Sequence, residues 1–95
     1  FDDETDTAGS LSSAVKAIRV AGATEIFSCC THGVFSGSGV NRVAETGVQE
    51  FIVTDTLPQE EALTNPSMKV LSVASLLGEA IRRIHSGLSV GEMFK

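Results

Sequence analysis

The sequence lacks any run of five or more basic residues, and its balance is acidic, with twelve Asp and Glu against seven Lys and Arg. Nucleic acid and anionic membrane surfaces are therefore poor partners for it. It also lacks an apolar stretch approaching roughly 18 residues, so no membrane span is expected. No basic stretch leads into an apolar one near the start, so no signal peptide is expected either. Cysteine is scarce: Cys29 and Cys30 are the only two, and they are adjacent. Such a pair makes no disulfide framework and is a poor metal pair, and a reducing, cytoplasmic setting is the simplest reading. Charge is sparse too. With 20% charged and 42% hydrophobic residues, the composition is that of a folding chain and not of a disordered one.

Length allows one domain, and 95 residues suffice for a small core, burying roughly 64% of the unfolded surface by area scaling. The acids are unevenly placed. Asp2, Asp3, Glu4 and Asp6 fall in the first six residues, and the remainder is close to neutral. The chain opens on Phe1, not methionine, and runs straight into these acids, which reads as a piece cut from something longer.

Apolar spacing divides the chain into elements. Asp2 to Gly9 is acidic and small, and reads as loop. Leu11, Ala14, Val15 and Ile18 recur at helical spacing from Ser10 onward, with Gly22 placed for a left-handed cap. Glu25 to Cys30 is a buried-strand pattern, with one cysteine facing each side. Thr31 to Gly39 reads as loop, Val40 to Thr46 as a short helix stopped by Gly47, and Glu50 to Thr54 as a second strand. Pro58 to Pro66 is a polar loop and Lys69 to Val73 a third strand. Val73, Leu76, Leu77, Ala80, Ile81 and Ile84 form the clearest helical stripe, ended by Gly87. Short apolar strands alternating with helices predict an α/β fold, a three-layer parallel sheet with flanking helices.

The segment Asp2 to Ser10, DDETDTAGS, carries the most chemistry. Thr7, Ala8, Gly9 and Ser10 are small and lead into a helix, whose free N–H groups suit a phosphate. Asp2, Asp3 and Asp6 can accept from sugar hydroxyls or hold a hard cation. Carboxylates beside a phosphate repel it, by roughly 3 kcal/mol for charges about 5 Å apart at an effective dielectric of 20. Magnesium, with its oxygen ligands and retained waters, would offset that. The residues thus suggest a sugar-phosphate site with Mg2+. The plain alternative is an acidic helix start favoured by the helix dipole. Other motifs fail on spacing. An EF-hand from Asp2 would need glycine at Thr7 and glutamate at Ser13. A P-loop needs Gly-Lys, which is absent, and Arg42 stands where a dinucleotide fingerprint wants its third glycine. His32 lies where a strand ends, and His85 in a last helical turn; neither is assigned a role.

DDETDTAGS resembles the ribose 5-phosphate loop of the ribose-phosphate pyrophosphokinases, the PRPP synthetases. The likeness continues in order through THGVFSG (Thr31 to Gly37), VTDTLPQE (Val53 to Glu60), KVLSVASLLGEAIRRIHSG (Lys69 to Gly87) and LSVGEMF (Leu88 to Phe94). The resemblance implies a type I phosphoribosyltransferase-like fold, with residues 1–95 an incomplete C-terminal domain lacking its preceding strand and the N-terminal domain. It implies transfer of the diphosphoryl group of ATP to ribose 5-phosphate, giving phosphoribosyl pyrophosphate and AMP, with magnesium. Asp6, Thr7, Ala8, Gly9 and Ser10 would hold the 5-phosphate end, and Asp2 and Asp3 would face the ribose hydroxyls and their magnesium. Ser89, Val90 and Phe94 match a segment near a site where ADP inhibits and phosphate activates, with Gly91 replacing a common serine. Simple apolar anchoring of the tail by Val90, Met93 and Phe94 is the competing reading. A homo-oligomer of the hexamer-of-dimers type is implied as well. The family's ATP-site residues and basic mobile loop lie upstream of these positions, so the 95 residues alone are not expected to turn over ATP. A non-catalytic regulatory subunit, or another type I phosphoribosyltransferase or repressor of that fold, are the rival readings.

Overall fold

The computed structural model describes residues 1–95. Four strands, β1 (Asp2–Thr5), β2 (Phe27–Gly33), β3 (Glu50–Thr54) and β4 (Met68–Leu71), form one sheet in that order, every neighbouring pair parallel. Three helices join and follow them: α1 (Gly9–Val20), α2 (Gly39–Glu45) and α3 (Ala74–His85). Short 3-10 turns occupy Ala62–Thr64 and Gly91–Phe94. The α/β parallel architecture is the one expected from the alternation of short strands and helices. Gly47 and Gly87 end α2 and α3 at φ of 70° and 69°, the left-handed conformation glycine adopts without strain.

A sheet whose order follows the sequence, crossed right-handedly each time, puts its crossover helices on one face. The core agrees. Val15 of α1 and Val40 and Val43 of α2 share a buried cluster with Cys30, Phe51, Val53 and Met68 of the sheet. Register aligns Cys30 with Val53 and Phe51 with Met68, so the same sheet face supplies all four. Phe35 meets Phe51 edge to face, ring centroids 5.9 Å apart. Only 16 of 95 residues are buried, so this one layer is essentially the whole core. On the opposite face Cys29 and Ile52 are half-buried while Phe27 and Leu71 are exposed. The two cysteines thus do face opposite sides, and both are free thiols.

Among the boundaries that differ from the sequence expectation, two shape the site, while β4 ends at Leu71 and not at Val73. Asp2–Thr5 is a strand, not a loop. Three consecutive charged residues disfavour a strand by propensity, but β1 is an edge strand, exposed at its first three positions, and its backbone pairs with β2. Charges there also discourage pairing with another chain. In turn β2 runs on to Gly33, because His32 and Gly33 pair with Glu4 and Thr5.

At the other end of the sheet α3 departs from the body. None of its residues is buried, and Leu76, Leu77, Ile81 and Ile84 stay between 45% and 68% exposed. The molecule measures 51 × 28 × 19 Å, with a radius of gyration of 16.0 Å, against about 12 Å for a compact chain of this length. No helix is long and apolar enough to cross a membrane.

Candidate functional site

The C-terminal end of β1 turns into α1 within three residues, Asp6, Thr7 and Ala8. Ala8 makes the turn. It holds a left-handed backbone, φ 63° and ψ 17°, while its methyl is 4% exposed in the core. Its carbonyl accepts the first helical bond, from the Ser12 amide at 2.9 Å. No side chain caps the helix, and the amides of Gly9, Ser10 and Leu11 have no acceptor within the chain. No acid lies in the first turn. The acids stand before the helix, so the dipole alone does not account for their placement. What the turn offers is a set of free N–H donors with the hydroxyls of Thr7 and Ser10 beside them, which suits an anion.

Asp6 is engaged from below. Its Oδ1 accepts from the Ser36 amide at 3.1 Å and from the Ser36 hydroxyl. The hydroxyl, and after it the amide, hold the Asp6 carboxyl below the usual carboxylate range. Asp6 therefore stays ionised and half committed to the protein itself.

Asp2 and Asp3 sit on β1, where consecutive side chains point to opposite faces. The Asp3 amide donates to Asp2 Oδ1 at 2.9 Å. A cleft of about 500 Å³ runs along this edge from the turn toward Phe1 and Phe27. Asp2, Glu4 and the whole of Asp6 to Ser10 line it, and Asp3 does not. Its inner wall is apolar, with Leu11 and Ile18 of α1. Glu4 escapes a sequence reading that treats the segment as loop, because only the strand period of two pairs it with Asp2. No group of three or more His, Cys, Asp or Glu gathers closely enough to hold a metal by itself.

The tail positions lie elsewhere. β1 and β4 are opposite edges of the sheet, three strand spacings or roughly 14 Å apart, and the tail follows α3 beyond β4. Ser89 offers its carbonyl to Arg83 Nη1 at 2.9 Å, and Val90 is half-buried. Phe94 is 73% exposed, so of the expected apolar anchors only Val90 and Met93 are partly covered. The structure does not bring Ser89, Val90 or Phe94 to the Asp6–Ser10 turn. His32 bonds Thr56 Oγ1 through Nδ1 at 2.8 Å, and Thr54 Oγ1 donates to the Thr31 carbonyl at 2.6 Å. These bonds fasten the ends of β2 and β3 to each other. Burial pushes the Cys30 thiol up, so it stays protonated and is no nucleophile.

The family model for the phosphoribosyl synthetase-associated domain matches residues 1–95. The chain belongs to that family. It is 47% identical over 93 residues to a ribose-phosphate pyrophosphokinase of Caldanaerobacter subterraneus, covering 98% of this chain and 29% of that protein. Against ribose-phosphate pyrophosphokinase 1 of Listeria monocytogenes it is 44% identical over 95 residues, which is 100% of this chain and 30% of the relative. Among solved structures it is similar to phosphoribosylpyrophosphate synthetase from Mycobacterium smegmatis, with a TM-score of 0.86 and 42% identity over 90% of this chain and 29% of that one. This member of the family thus spans about 30% of the length of the curated relatives it matches.

Proposed function

We propose that these residues form the ribose 5-phosphate-binding part of a ribose-phosphate pyrophosphokinase, within a C-terminal phosphoribosyltransferase-like domain. The observation that carries the reading is the uncapped start of α1. Its free amides at Gly9, Ser10 and Leu11, and the hydroxyls of Thr7 and Ser10, converge on a cleft edged by carboxylates. The 5-phosphate would rest on those donors, and Asp2 would accept from the ribose hydroxyls.

In the reaction, the anomeric hydroxyl oxygen of ribose 5-phosphate bonds to the β-phosphorus of ATP. The bond from that phosphorus to the oxygen bridging it to the α-phosphate breaks. AMP leaves and the hydroxyl proton is lost. No residue of this chain serves as a nucleophile. The turn supplies position and charge compensation, the main sources of rate in phosphoryl transfer. Asp2 lines the cleft and would hold magnesium in its usual manner, a carboxylate supplemented by water and substrate oxygens, whereas Asp3, on the other face of β1, would not reach the same ion. When bound, the ion offsets the charge that carboxylates and phosphate would otherwise set against each other.

ADP and phosphate acting at Ser89, Val90 and Phe94 belong to the same reading, as does a cytoplasmic homo-oligomer. Assembly is supported by the exposed stripe of Leu76, Leu77, Ile81 and Ile84 on α3. The test is PRPP formation by the complete polypeptide that carries these residues. Replacing Asp2 and Asp3 together with alanine is expected to abolish use of ribose 5-phosphate. An unchanged KM and kcat in that double variant sinks the site assignment.

A further inference from the structure

The turn at the start of α1 is met by a second segment, its partners lying 30 and 35 residues along the chain for Asp6 and Thr7. The Thr5 carbonyl, last in β1, accepts from the Val34 amide at 2.9 Å and from the Phe35 amide at 3.4 Å. Phe35 adopts φ 49° to do so, with its ring buried at 7% exposure. The next residue, Ser36, gives both its amide and its hydroxyl to Asp6. Gly39 packs so closely under the turn that a Cβ there would lie 2.5 Å from the Asp6 carbonyl oxygen. Arg42 completes the set, Nη1 donating to the Thr7 carbonyl at 3.3 Å. Consecutive carbonyl or carboxylate groups of residues 5, 6 and 7 are thus each held by the stretch from Val34 to Arg42. The amides of Gly9, Ser10 and Leu11, in the turn that follows, have no acceptor within the chain.

We infer that Val34 to Arg42 is the template that fixes the anion turn, and that Ser36 and Arg42 are positioning residues for the ligand the turn receives. Neither has to touch that ligand. Ser36 acts through Asp6, whose carboxylate it fastens and orients. Arg42 fastens the Thr7 carbonyl through Nη1, and adds a positive charge next to a turn that otherwise carries only acids. The inference rests on the ribose 5-phosphate reading for the identity of the ligand, but not for the shape of the turn.

Ser36 is exposed, so replacing it leaves the core intact. The experiment compares wild type, Ser36→Ala and Ser36→Thr in the complete polypeptide. Hydrogen exchange is followed by mass spectrometry and ribose 5-phosphate binding by calorimetry. In Ser36→Ala, peptides carrying the bonded amides that frame the turn, those of Ser12, Val34 and Phe35, should exchange about tenfold faster and ribose 5-phosphate should bind about tenfold more weakly, the scale of one lost hydrogen bond. Peptides of β3 should be unaffected, and Ser36→Thr should restore both properties. Unchanged exchange around the turn in Ser36→Ala overturns the template. Faster exchange with undiminished affinity overturns Ser36 as a positioning residue. A Ser36-dependent turn in a wild-type protein that fails to bind ribose 5-phosphate leaves the template standing and removes the functional reading instead.

Discussion

The two ends of this sheet are built on different principles. At the β1 edge, the turn Asp6–Ala8 is held by Ser36 and Arg42, which lie 30 and 35 residues from their partners along the chain. At the β4 edge, Asp55 holds the start of α3 by accepting from the Val73 amide at 2.8 Å, and the rest of α3 and the tail are held by neighbours. Glu79 pairs with Arg82 at 2.7 Å and with Arg83 at 2.8 Å, Arg83 reaches the Ser89 carbonyl, and Lys95 pairs with Glu92 at 2.8 Å. One region takes its geometry from the fold, and the other largely from its own helix. The turn can therefore be preorganised without a ligand. The apolar stripe of α3 has a shape but no partner within these residues.

The same substitution made in both regions separates them most sharply. In Gly39→Ala the new methyl would meet a backbone oxygen at 2.5 Å, so turn or helix must shift. A loss of about 1–3 kcal/mol is expected in chemical denaturation, together with weaker sugar-phosphate binding. In Gly78→Ala, on α3, nothing lies within 4 Å of the added carbon. A gain of about 0.5–1 kcal/mol is expected there from helix propensity alone, read as raised helicity and midpoint. Equal effects at the two positions would erase the distinction between the regions.

Acid gives a gentler test. The Arg82 and Arg83 side chains hold the Glu79 carboxyl at about 2, below its ordinary 4.5. A depressed carboxylate contributes stability that is present above the unfolded value and is lost as pH falls through the folded one. The order of α3 should therefore decline between about pH 4.5 and 2, while amides of β3 stay protected until global unfolding. Loss of β3 protection ahead of α3 would contradict the local character assigned to the helix. Because the triad is exposed, added salt should diminish the effect.

How much of the molecule is legible in its sequence depends on where the determining atoms lie. Glu50–Thr54 is a strand by its own apolar run, and it is one in the structure. The α3 stripe is periodic in itself, and the helix follows it. β1 is not legible, because its charged side chains argue for loop and only its pairing with β2, Asp2 with Cys30, Glu4 with His32 and Thr5 with Gly33, makes it a strand. The site divides along the same line. The small residues from Thr7 to Ser10 suggest an anion turn from their order, and the uncapped start of α1 lies at them. Ser36, Gly39 and Arg42 carry no such suggestion, since their roles exist only once β2 brings that segment beneath Asp6. Glu4 needs the strand assignment before it can be placed on the same side of β1 as Asp2.

Ala8 adds a kinetic dimension to this. A left-handed backbone at an alanine costs about 1–2 kcal/mol that glycine would not incur. In return its methyl is buried with Val15, Val43 and Phe51, in the one core the molecule has. The turn cannot swing outward without drawing that methyl into water. An arriving anion would then meet donors already in place, with no segment to order and no closing step to await. Its rate of capture would be set by diffusion and by the charge around the cleft, not by the motion of the turn.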